Sequence, residues 1–385
     1  MSTASIAPFV DSNDFPSARK CTYLNTANVG LMVRNADHAI AAWQQDIAEN
    51  GSNRFDETAE EKVFDDLHRA AAALFNGTPD DIAAGSSATE LMSSLAWALM
   101  PGAETNVVST DIVFPTAVYP WARVARHTGC QIRLAKTHGG YVDPDELAAL
   151  IDDRTAVVCL SHVEFRSGQR YDLARFAQKA HAHGALLIVD STQSAGAVPL
   201  DAPAEGIDAV IAGGYKWLCG PFGAAVLYLA PHLHKRLDPG LVGFRSNADM
   251  WTIGAEHLVF PDTARRFEFS TLAYGCGIGL ARSIEYLVET GIDRIFAYNR
   301  GLADALINGL EALGAQVTSS RRTEERSAIV TARFPGRDPA AIAARLKTAG
   351  VMVAHRGDIV RFSPHLYNTM NDVDQALTVA GELAR

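Results

Sequence analysis

The feature that most constrains this chain is a pair of short apolar segments that each deliver a charged side chain. Residues 185–189 are followed at once by Asp190, and residues 208–212 lead through two glycines and a tyrosine to Lys216. Short apolar runs rich in valine and isoleucine are typical of strands that are buried on both faces. Similar runs alternate with helical patterns along the chain, which predicts an α/β fold with a mostly parallel sheet covered on both faces.

Other candidate side chains follow the remaining predicted strands in the same way. They lie at residues 85–89, 114, 162–168, 190–193 and 213–216. Parallel strands present their carboxyl ends at one edge of a sheet, and ligands bind beyond that edge. We therefore expect these residues to converge on one site.

Asp190 and Lys216 are together the two side chains that pyridoxal phosphate requires. A lysine amine forms its resting Schiff base, and a carboxylate keeps its pyridine nitrogen protonated, so that the ring accepts electrons from a substrate carbanion. Burial at a strand end favours the neutral, reactive amine. Either residue alone is more simply an ordinary strand-end charge, whereas the pair predicts that Lys216 and Asp190 are catalytic.

The wider pattern carries a family resemblance. Asp190 and Gln193 form an Asp-x-x-Gln motif, and the lysine after Gly-Gly-Tyr follows 26 residues beyond the aspartate. This arrangement resembles the class V aminotransferase family of fold-type I enzymes, which includes cysteine desulfurases, carbon–sulfur lyases, kynureninase and isopenicillin N epimerase. The resemblance extends from Tyr23 to the Arg-Phe-Ser-Pro-His-Leu-Tyr-Asn-Thr run at 361–369.

The resemblance implies an architecture and a cofactor. The fold would be that of α/β PLP-dependent transferases of fold type I, with a large PLP-binding domain at 23–270 built on a mostly parallel seven-stranded sheet. A small C-terminal α+β domain would occupy 271–385, and an N-terminal arm would occupy 1–22. Pyridoxal 5'-phosphate would be the cofactor.

Two cofactor contacts are expected near the start of a helix at residue 88. The Gly-Ser turn that precedes it offers unpaired backbone N–H groups to an anion, and the resemblance assigns the phosphate to the Ala88 N–H and Thr89. Helix capping by Ser86 or Ser87 is the simpler alternative. Phe114 occupies the position at which the family stacks a side chain on the ring, although a core phenylalanine would look the same.

The resemblance also implies the other expected contacts with the cofactor and the substrate. Gln193 and Tyr215 would bind the cofactor, the tyrosine through its hydroxyl. Thr271, in a run similar to the family's Arg-Phe-Glu-x-Gly-Thr, would reach the phosphate of a neighbouring subunit's cofactor, which implies a homodimer with shared active sites. The expected substrate contacts are Asn28, which lies in a turn at the rim of the active site, and Arg361, whose guanidinium suits a substrate carboxylate. The alternatives are that Asn28 belongs to an ordinary turn and that Arg361 is a surface arginine.

Composition excludes several other classes of protein. The chain has 385 residues and a net charge of 34 − 44 = −10, which disfavours nucleic-acid partners. Its five cysteines are scattered and include no Cys-x-x-Cys pair, which argues against a disulfide framework and a metal site. The sequence lacks a signal peptide and an apolar run of membrane-spanning length, so we expect a cytoplasmic enzyme acting on a small amino acid.

The reaction is the least constrained expectation. Residues 335–361 contain no cysteine, and on that ground the sequence predicts an enzyme other than a persulfide-forming cysteine desulfurase. A lyase that performs β-elimination, similar to the carbon–sulfur lyases, or a class V aminotransferase is favoured. A kynureninase-like hydrolase and an epimerase are the enzymatic alternatives, and a PLP-binding regulatory or scaffold protein is the non-enzymatic one.

Overall fold

The computed structural model describes residues 8–384, so residues 1–7 of the predicted arm lie outside the described residues. Its strands are β1 (Thr22–Tyr23), β2 (Ile82–Gly85), β3 (Asn106–Thr110), β4 (Gln131–Ala135), β5 (Thr137–His138), β6 (Tyr141–Val142), β7 (Thr155–Ser161), β8 (Leu186–Asp190), β9 (Ala209–Gly213), β10 (Ala225–Leu229), β11 (Gln316–Val317), β12 (Val330–Arg333), β13 (Val351–Met352), β14 (Ala354–Arg356) and β15 (Ile359–Phe362). Its α-helices are α1 (Arg34–Asn50), α2 (Glu57–Glu61), α3 (Asp65–Phe75), α4 (Ala88–Leu99), α5 (Tyr119–Thr128), α6 (Pro144–Ala149), α7 (Leu173–Ala182), α8 (Tyr274–Thr290), α9 (Ile292–Ala312), α10 (Pro339–Thr348) and α11 (Met370–Ala384).

A central sheet of seven strands organises the molecule, in the order β2-β10-β9-β8-β7-β3-β4. All neighbouring pairs are parallel except those of β10, which runs antiparallel to both β2 and β9. Successive side chains point to opposite faces: Leu187 and Val189 lie in one apolar cluster and Ile188 in the other. Helices α3, α7 and α8 cover the first face, and α4 and α5 cover the second. The prediction of a mostly parallel, doubly covered sheet is confirmed.

A second sheet lies in the C-terminal part of the chain, with antiparallel strands in the order β11-β12-β15-β14. Helices α9, α10 and α11 contribute apolar side chains to a separate cluster beneath it. Helix α8, in contrast, packs with α1 and α3 in the cluster of the central sheet. The division at residues 22 and 270 stays a prediction.

Residues 22–30, which we call the crossing segment, connect the two sheets. Strand β1 pairs in parallel with β13, and Asn25 bridges to Ser363 just beyond β15. At its far end, the Gly30 N–H donates to the Tyr215 carbonyl (2.9 Å). A β carbon on Gly30 would lie 1.9 Å from the Lys216 carbonyl oxygen, so only glycine permits this approach.

The helical spacing of the apolar residues over 59–75 predicts a single helix, and this prediction is wrong, because the structure has two helices, α2 and α3, separated by a turn at 62–64. The break has a cause distant in sequence: Nη1 of Arg245 donates to the Glu60 carbonyl (2.9 Å), and the guanidinium lies 5.2 Å from the ring centre of buried Phe64. Among residues 8–384, no helix is long and apolar enough to cross a membrane.

Candidate active site

A cavity opens at the carboxyl ends of the central strands and collects most of the predicted site residues. Seven of them line it: Ala88, Thr89, Phe114, Asp190, Gln193, Tyr215 and Lys216. The remaining wall comes from Ser87, Thr116, Ser161 and Thr192. Residues of four of the five expected groups therefore line one cavity, whereas 162–168 contribute no lining residue.

Lys216 lies in the turn that follows β9, and its side chain is buried, with 6% of the residue exposed. Its Nζ lies 5.2 Å from the ring centre of Phe114 and 5.4 Å from that of Tyr215. Burial lowers the pKa of Lys216 to about 8; the charge of Asp190 opposes this shift, and those of Arg361 and Arg356 add to it. A substantial fraction of the amine is thus neutral near physiological pH.

Asp190 is the last residue of β8 and is buried at the base of the cavity. Its Oδ1 accepts the backbone N–H of Thr192 (2.9 Å), which fixes the carboxylate. Within residues 8–384, no protein group donates to Oδ2. A buried carboxylate oxygen on the cavity wall is suited to accept a hydrogen bond from a protonated ring nitrogen.

The N-terminus of α4 forms another wall. The Ser87 hydroxyl caps the helix by accepting the Glu90 N–H (3.1 Å), so the simple capping role is real. The N–H groups of Ala88 and Thr89 have no acceptor in the part of the chain that the structure describes, and the Thr89 hydroxyl bonds that of Thr116 (2.7 Å). Capping therefore leaves both N–H groups available for an anion.

Two aromatic side chains and one amide also line the cavity, namely Phe114, Tyr215 and Gln193. Phe114 is 39% exposed, unusually open for a phenylalanine, and meets Phe165 edge-on at 5.4 Å. Tyr215 stacks on Phe222 with ring centres 4.5 Å apart, and burial raises the pKa of the Tyr215 hydroxyl, which therefore stays protonated. The Gln193 side chain donates to the Ala27 carbonyl (2.9 Å) and accepts the indole N–H of Trp217 (2.8 Å).

Arg361, on β15, approaches from the second sheet and is almost fully buried, with 1% exposed. Its Nη1 donates to the Phe165 carbonyl (2.6 Å), whereas Nε and Nη2 are buried without a hydrogen-bond partner among the described residues. Burial, and then the charge of Arg356, lower the pKa of Arg361 to about 9, so the guanidinium remains charged at neutral pH. An unsatisfied buried fork of this kind is suited to a carboxylate ligand.

Three predicted contacts do not line the cavity, namely Arg361, Asn28 and Thr271. Asn28 is exposed, and its Oδ1 accepts from Nη2 of Arg356 (3.1 Å), which places it beside a guanidinium. Thr271 is exposed as well and lines no part of this chain's cavity. Its assignment to a neighbouring subunit's site stays a prediction.

Sequence reasoning missed several wall residues. Thr116 and Thr192 lie inside motifs that were noted for their neighbours, and Ser161 is the last residue of β7, so each carried the strand-end signal used for the others. Within residues 8–384, no group of three or more histidine, cysteine, aspartate or glutamate side chains could hold a metal ion.

The cavity suits pyridoxal phosphate on the chemistry of its donors. A reactive buried amine, a carboxylate oxygen without a donor, two free N–H groups at a helix start and an open phenylalanine ring all line one small space. Lys216 would hold the carbon of PLP to which the amine is linked, and Asp190 would hold the pyridine nitrogen. The N-terminus of α4 would hold the phosphate, and Phe114 would contact the face of the ring.

Comparison with known sequences agrees with this cofactor assignment. The family model described as Aminotransferase class-V matches residues 38–376. An uncharacterized aminotransferase, YcbU of Bacillus subtilis, is 26% identical over 94% of both chains. A probable cysteine desulfurase of Methanothermobacter thermautotrophicus is 27% identical over 81% of both. A kynureninase of Bacillus anthracis is 26% identical over 94% of this chain and 88% of its own.

Solved structures share the fold. The apo cysteine desulfurase of Thermococcus onnurineus NA1 superposes with a TM-score of 0.89 at 23% identity, covering 100% of this chain and 99% of the other. The cystine C–S lyase C-DES, in complex with its reaction product cysteine persulfide, gives a TM-score of 0.86 at 23% identity, covering 96% and 99%.

These comparisons overturn one expectation. The prediction of an enzyme other than a persulfide-forming cysteine desulfurase is wrong as a class exclusion, because proteins named cysteine desulfurases are prominent among both the relatives and the structural neighbours. It relied only on the absence of a cysteine from residues 335–361.

The match to the family model spans most of the chain, and the fold and the cavity agree with it. This chain therefore belongs to the class V aminotransferase family, whose members are PLP-dependent enzymes of fold type I.

Proposed function

We propose that this enzyme cleaves the bond between Cβ and sulfur in a sulfur-containing amino acid by β-elimination. The observation that carries the proposal is the Lys216 amine, which is buried, has a pKa lowered to about 8 and shares the cavity with the Asp190 carboxylate. Such an amine can accept a proton from carbon at neutral pH, whereas an exposed lysine is fully protonated there.

The chain's residues divide the work of an elimination. Bound PLP supplies the electron sink that stabilises negative charge at the substrate Cα, and Asp190 holds the proton on its pyridine nitrogen. The Lys216 amine removes the Cα proton. Arg361 binds the α-carboxylate through its unpaired Nε and Nη2 and so fixes the Cα–H bond relative to the amine. Orientation of this kind supplies up to ~7–11 kcal/mol of a barrier.

Loss of a thiolate from Cβ then completes the cleavage. With one water consumed, an S-substituted cysteine yields a thiol, pyruvate and ammonia, so atoms and charge balance. Relatives and structural neighbours named cysteine desulfurase or cystine C–S lyase support sulfur as the leaving atom. Tyr215, which stays protonated beside Lys216, supports the outcome as a local proton donor.

Hydrolysis of the kynureninase type is the second candidate, and a specific observation favours it. Phe114 opens onto the cavity within a Phe-Pro-Thr run that resembles kynureninase, and Tyr215 lies beside it on the cavity wall. Kynureninases are also among the relatives. This reaction would release alanine in place of pyruvate and ammonia.

We also propose that two copies of the chain share their active sites. Phe222, which is 60% exposed, stacks on Tyr215 at the cavity and leaves apolar surface there for a partner to cover. Thr271 is exposed and does not line its own cavity, as expected of a residue that is donated to a neighbour's site. Sedimentation equilibrium tests the proposal: a monomer at micromolar concentration would contradict it.

Two measurements test the chemistry. Borohydride reduction of the PLP-loaded protein, followed by peptide mass spectrometry, should find the cofactor fixed to Lys216, and fixation at another lysine would refute the site. A screen of cystine, S-substituted cysteines and kynurenine should then yield pyruvate and ammonia from the sulfur compounds. A keto acid that retains the substrate carbon chain would indicate transamination, and alanine would indicate hydrolysis or desulfuration.

A further inference from the structure

We propose that Glu268 is a positioning residue for the phosphate of the cofactor, because it fixes the strand that leads to the N-terminus of α4. The inference rests on the proposed site, since it takes the Ala88 and Thr89 N–H groups as the seat of the phosphate. Glu268 does not line the cavity. It therefore acts through the intervening backbone and not by touching the cofactor.

Strand β2 leads to the phosphate seat and lies at an edge of the central sheet. Within residues 8–384 it pairs with β10 alone, so the N–H groups on its outer side have no strand to bond. β2 ends at Gly85 and α4 begins at Ala88, so only two residues separate them. A shift of β2 would thus be passed on almost directly to the N–H groups at the start of α4.

The Glu268 side chain takes the place of a strand partner at the outer edge of β2. Its Oε1 accepts the backbone N–H of Ala84 (2.8 Å), one residue before the end of the strand. Glu268 is only 3% exposed, so water does not compete for this bond. A hydrogen bond from an N–H group to a carboxylate is stronger than one to a neutral acceptor. The end of β2 is therefore held in place four residues before Ala88.

Three other side chains anchor Glu268. Nε2 of His68, on α3, lies 2.6 Å from Oε1, and Nη2 of Arg245 lies 3.6 Å from Oε2. The Ser246 hydroxyl donates to the Glu268 backbone carbonyl (3.1 Å). Burial acts to raise the pKa of Glu268, but His68, Arg245 and the Ala84 N–H outweigh it, so the pKa lies below its ordinary value. The carboxylate is thus charged at neutral pH and cannot move without weakening its contacts to two buried basic side chains.

The contacts inside the turn do not fix where the turn lies. The Ser86 N–H donates to Oε2 of Glu90 (2.9 Å), and the Ser87 hydroxyl accepts the Glu90 N–H (3.1 Å). Both bonds join residues 86–90 to one another, so they set the shape of the turn. Its position in the cavity is set by the packing of α4 and by the bond that holds β2.

Equilibrium binding of two aldehydes tests the inference without turnover. The stripped full-length protein would be titrated with PLP and with pyridoxal, which differ only in the phosphate, by following the absorbance of the Schiff base. The ratio of the two dissociation constants measures the contribution of the phosphate and cancels effects on Schiff-base formation itself. Glu268→Ala should reduce the preference for PLP at least about tenfold, as expected when charge-assisted contacts lose their alignment. Pyridoxal affinity should stay within about twofold of wild type.

Two variants separate positioning from folding. Glu268→Gln keeps the shape of the side chain and an acceptor for the Ala84 N–H, so it should retain most of the preference for PLP. His68→Gln is the matched control, because it disturbs the same buried cluster but leaves the bond between Glu268 and Ala84 in place. It should lower the stability of the protein and leave the preference intact.

A preference for PLP that survives Glu268→Ala would overturn the inference. An equal loss of affinity for both aldehydes would also overturn it, since Glu268 would then serve the fold alone. So would a preference lost to the same extent in Glu268→Gln or in His68→Gln. Equal affinity of the wild type for PLP and pyridoxal would refute the phosphate seat itself, whereas borohydride fixation at Lys216, which either aldehyde permits, tests the proposed function separately.

Discussion

The candidate site has two walls of different origin, and each contains a buried cation. The inner wall comes from the central sheet, where Lys216 and the Asp190 carboxylate line the cavity, whereas the outer wall is Arg361 on the second sheet, which does not line the cavity but whose charge lowers the pKa of Lys216. Burial lowers the pKa of both cations, to about 8 for the lysine and about 9 for the arginine. Near neutral pH the lysine can therefore act as a base, whereas the arginine remains an anion receptor.

Removing the base should produce the largest effect. Lys216→Ala should lower kcat by at least about 10³-fold, since it removes both the cofactor attachment and the proton acceptor. It should also abolish borohydride fixation. Lys347→Ala, at an exposed position of α10, is the control and should behave as wild type. If Lys216→Ala retained turnover within tenfold of wild type, the assignment of proton transfer to the inner wall would be wrong.

Burial of the amine should also be visible in stability. In the protein stripped of PLP, Lys216→Met should raise the free energy of unfolding at pH 7 by up to about 3 kcal/mol, because the folded state holds a charged lysine at a cost. With the folded pKa at about 8 and the ordinary value at 10.5, the native lysine loses stability as pH falls through this window. The gain from the variant should therefore shrink above pH 8 and vanish above 10.5.

Urea denaturation of the stripped protein at pH 7, 9 and 11 would measure this dependence. Lys347→Met is the control and should show no such pH dependence. A stability difference that stays constant across the three pH values would show that the amine is not desolvated in the folded state.

The outer wall should influence binding more than chemistry. Arg361→Gln should raise KM about 10- to 100-fold, because a charge-assisted contact is worth about 1.5–3 kcal/mol, with a smaller fall in kcat. It should also shift upward the pKa of the limb on which kcat/KM rises with pH, since the base must be neutral and the arginine charge lowers the pKa of Lys216. The pH profile of the steady-state constants tests both effects, and a loss confined to kcat would place Arg361 with the inner wall.

The smallest effect is expected at Asn28, which does not line the cavity. Asn28→Ala removes one neutral acceptor of Arg356 (3.1 Å) at an exposed position. KM should rise about two- to fivefold, as for the loss of a single neutral hydrogen bond, and kcat should be unchanged. Steady-state kinetics would measure both constants. A loss of kcat comparable with that of Lys216→Ala would show that the two walls do not have separate roles in binding and in catalysis.

The inner wall could be predicted from sequence more fully than the outer one. Asp190 and Lys216 follow apolar strands, and strand ends of a parallel sheet meet whatever the details of packing. Arg361 was found only through a family resemblance. Its burial against the Phe165 carbonyl could not be found from local patterns, because that contact joins residues 196 positions apart in the sequence.

Two features of the fold were hidden for a similar reason. The apolar run that forms β10 is compatible with either strand direction, so its antiparallel pairing was not predictable. The break between α2 and α3 depends on Arg245, which lies almost two hundred residues away in the sequence. Local patterns specify local structure, and these two features are determined by distant contacts.

The crossing segment has a consequence for how variants of this enzyme should be interpreted. One short run of backbone touches the turn of Lys216 at Gly30 and the end of the Arg361 strand at Asn25. A bulkier residue at Gly30 would push on the lysine turn and, through the same run of backbone, on the arginine strand. Damage there would thus mimic a simultaneous defect in catalysis and in substrate affinity, although neither functional side chain had been altered.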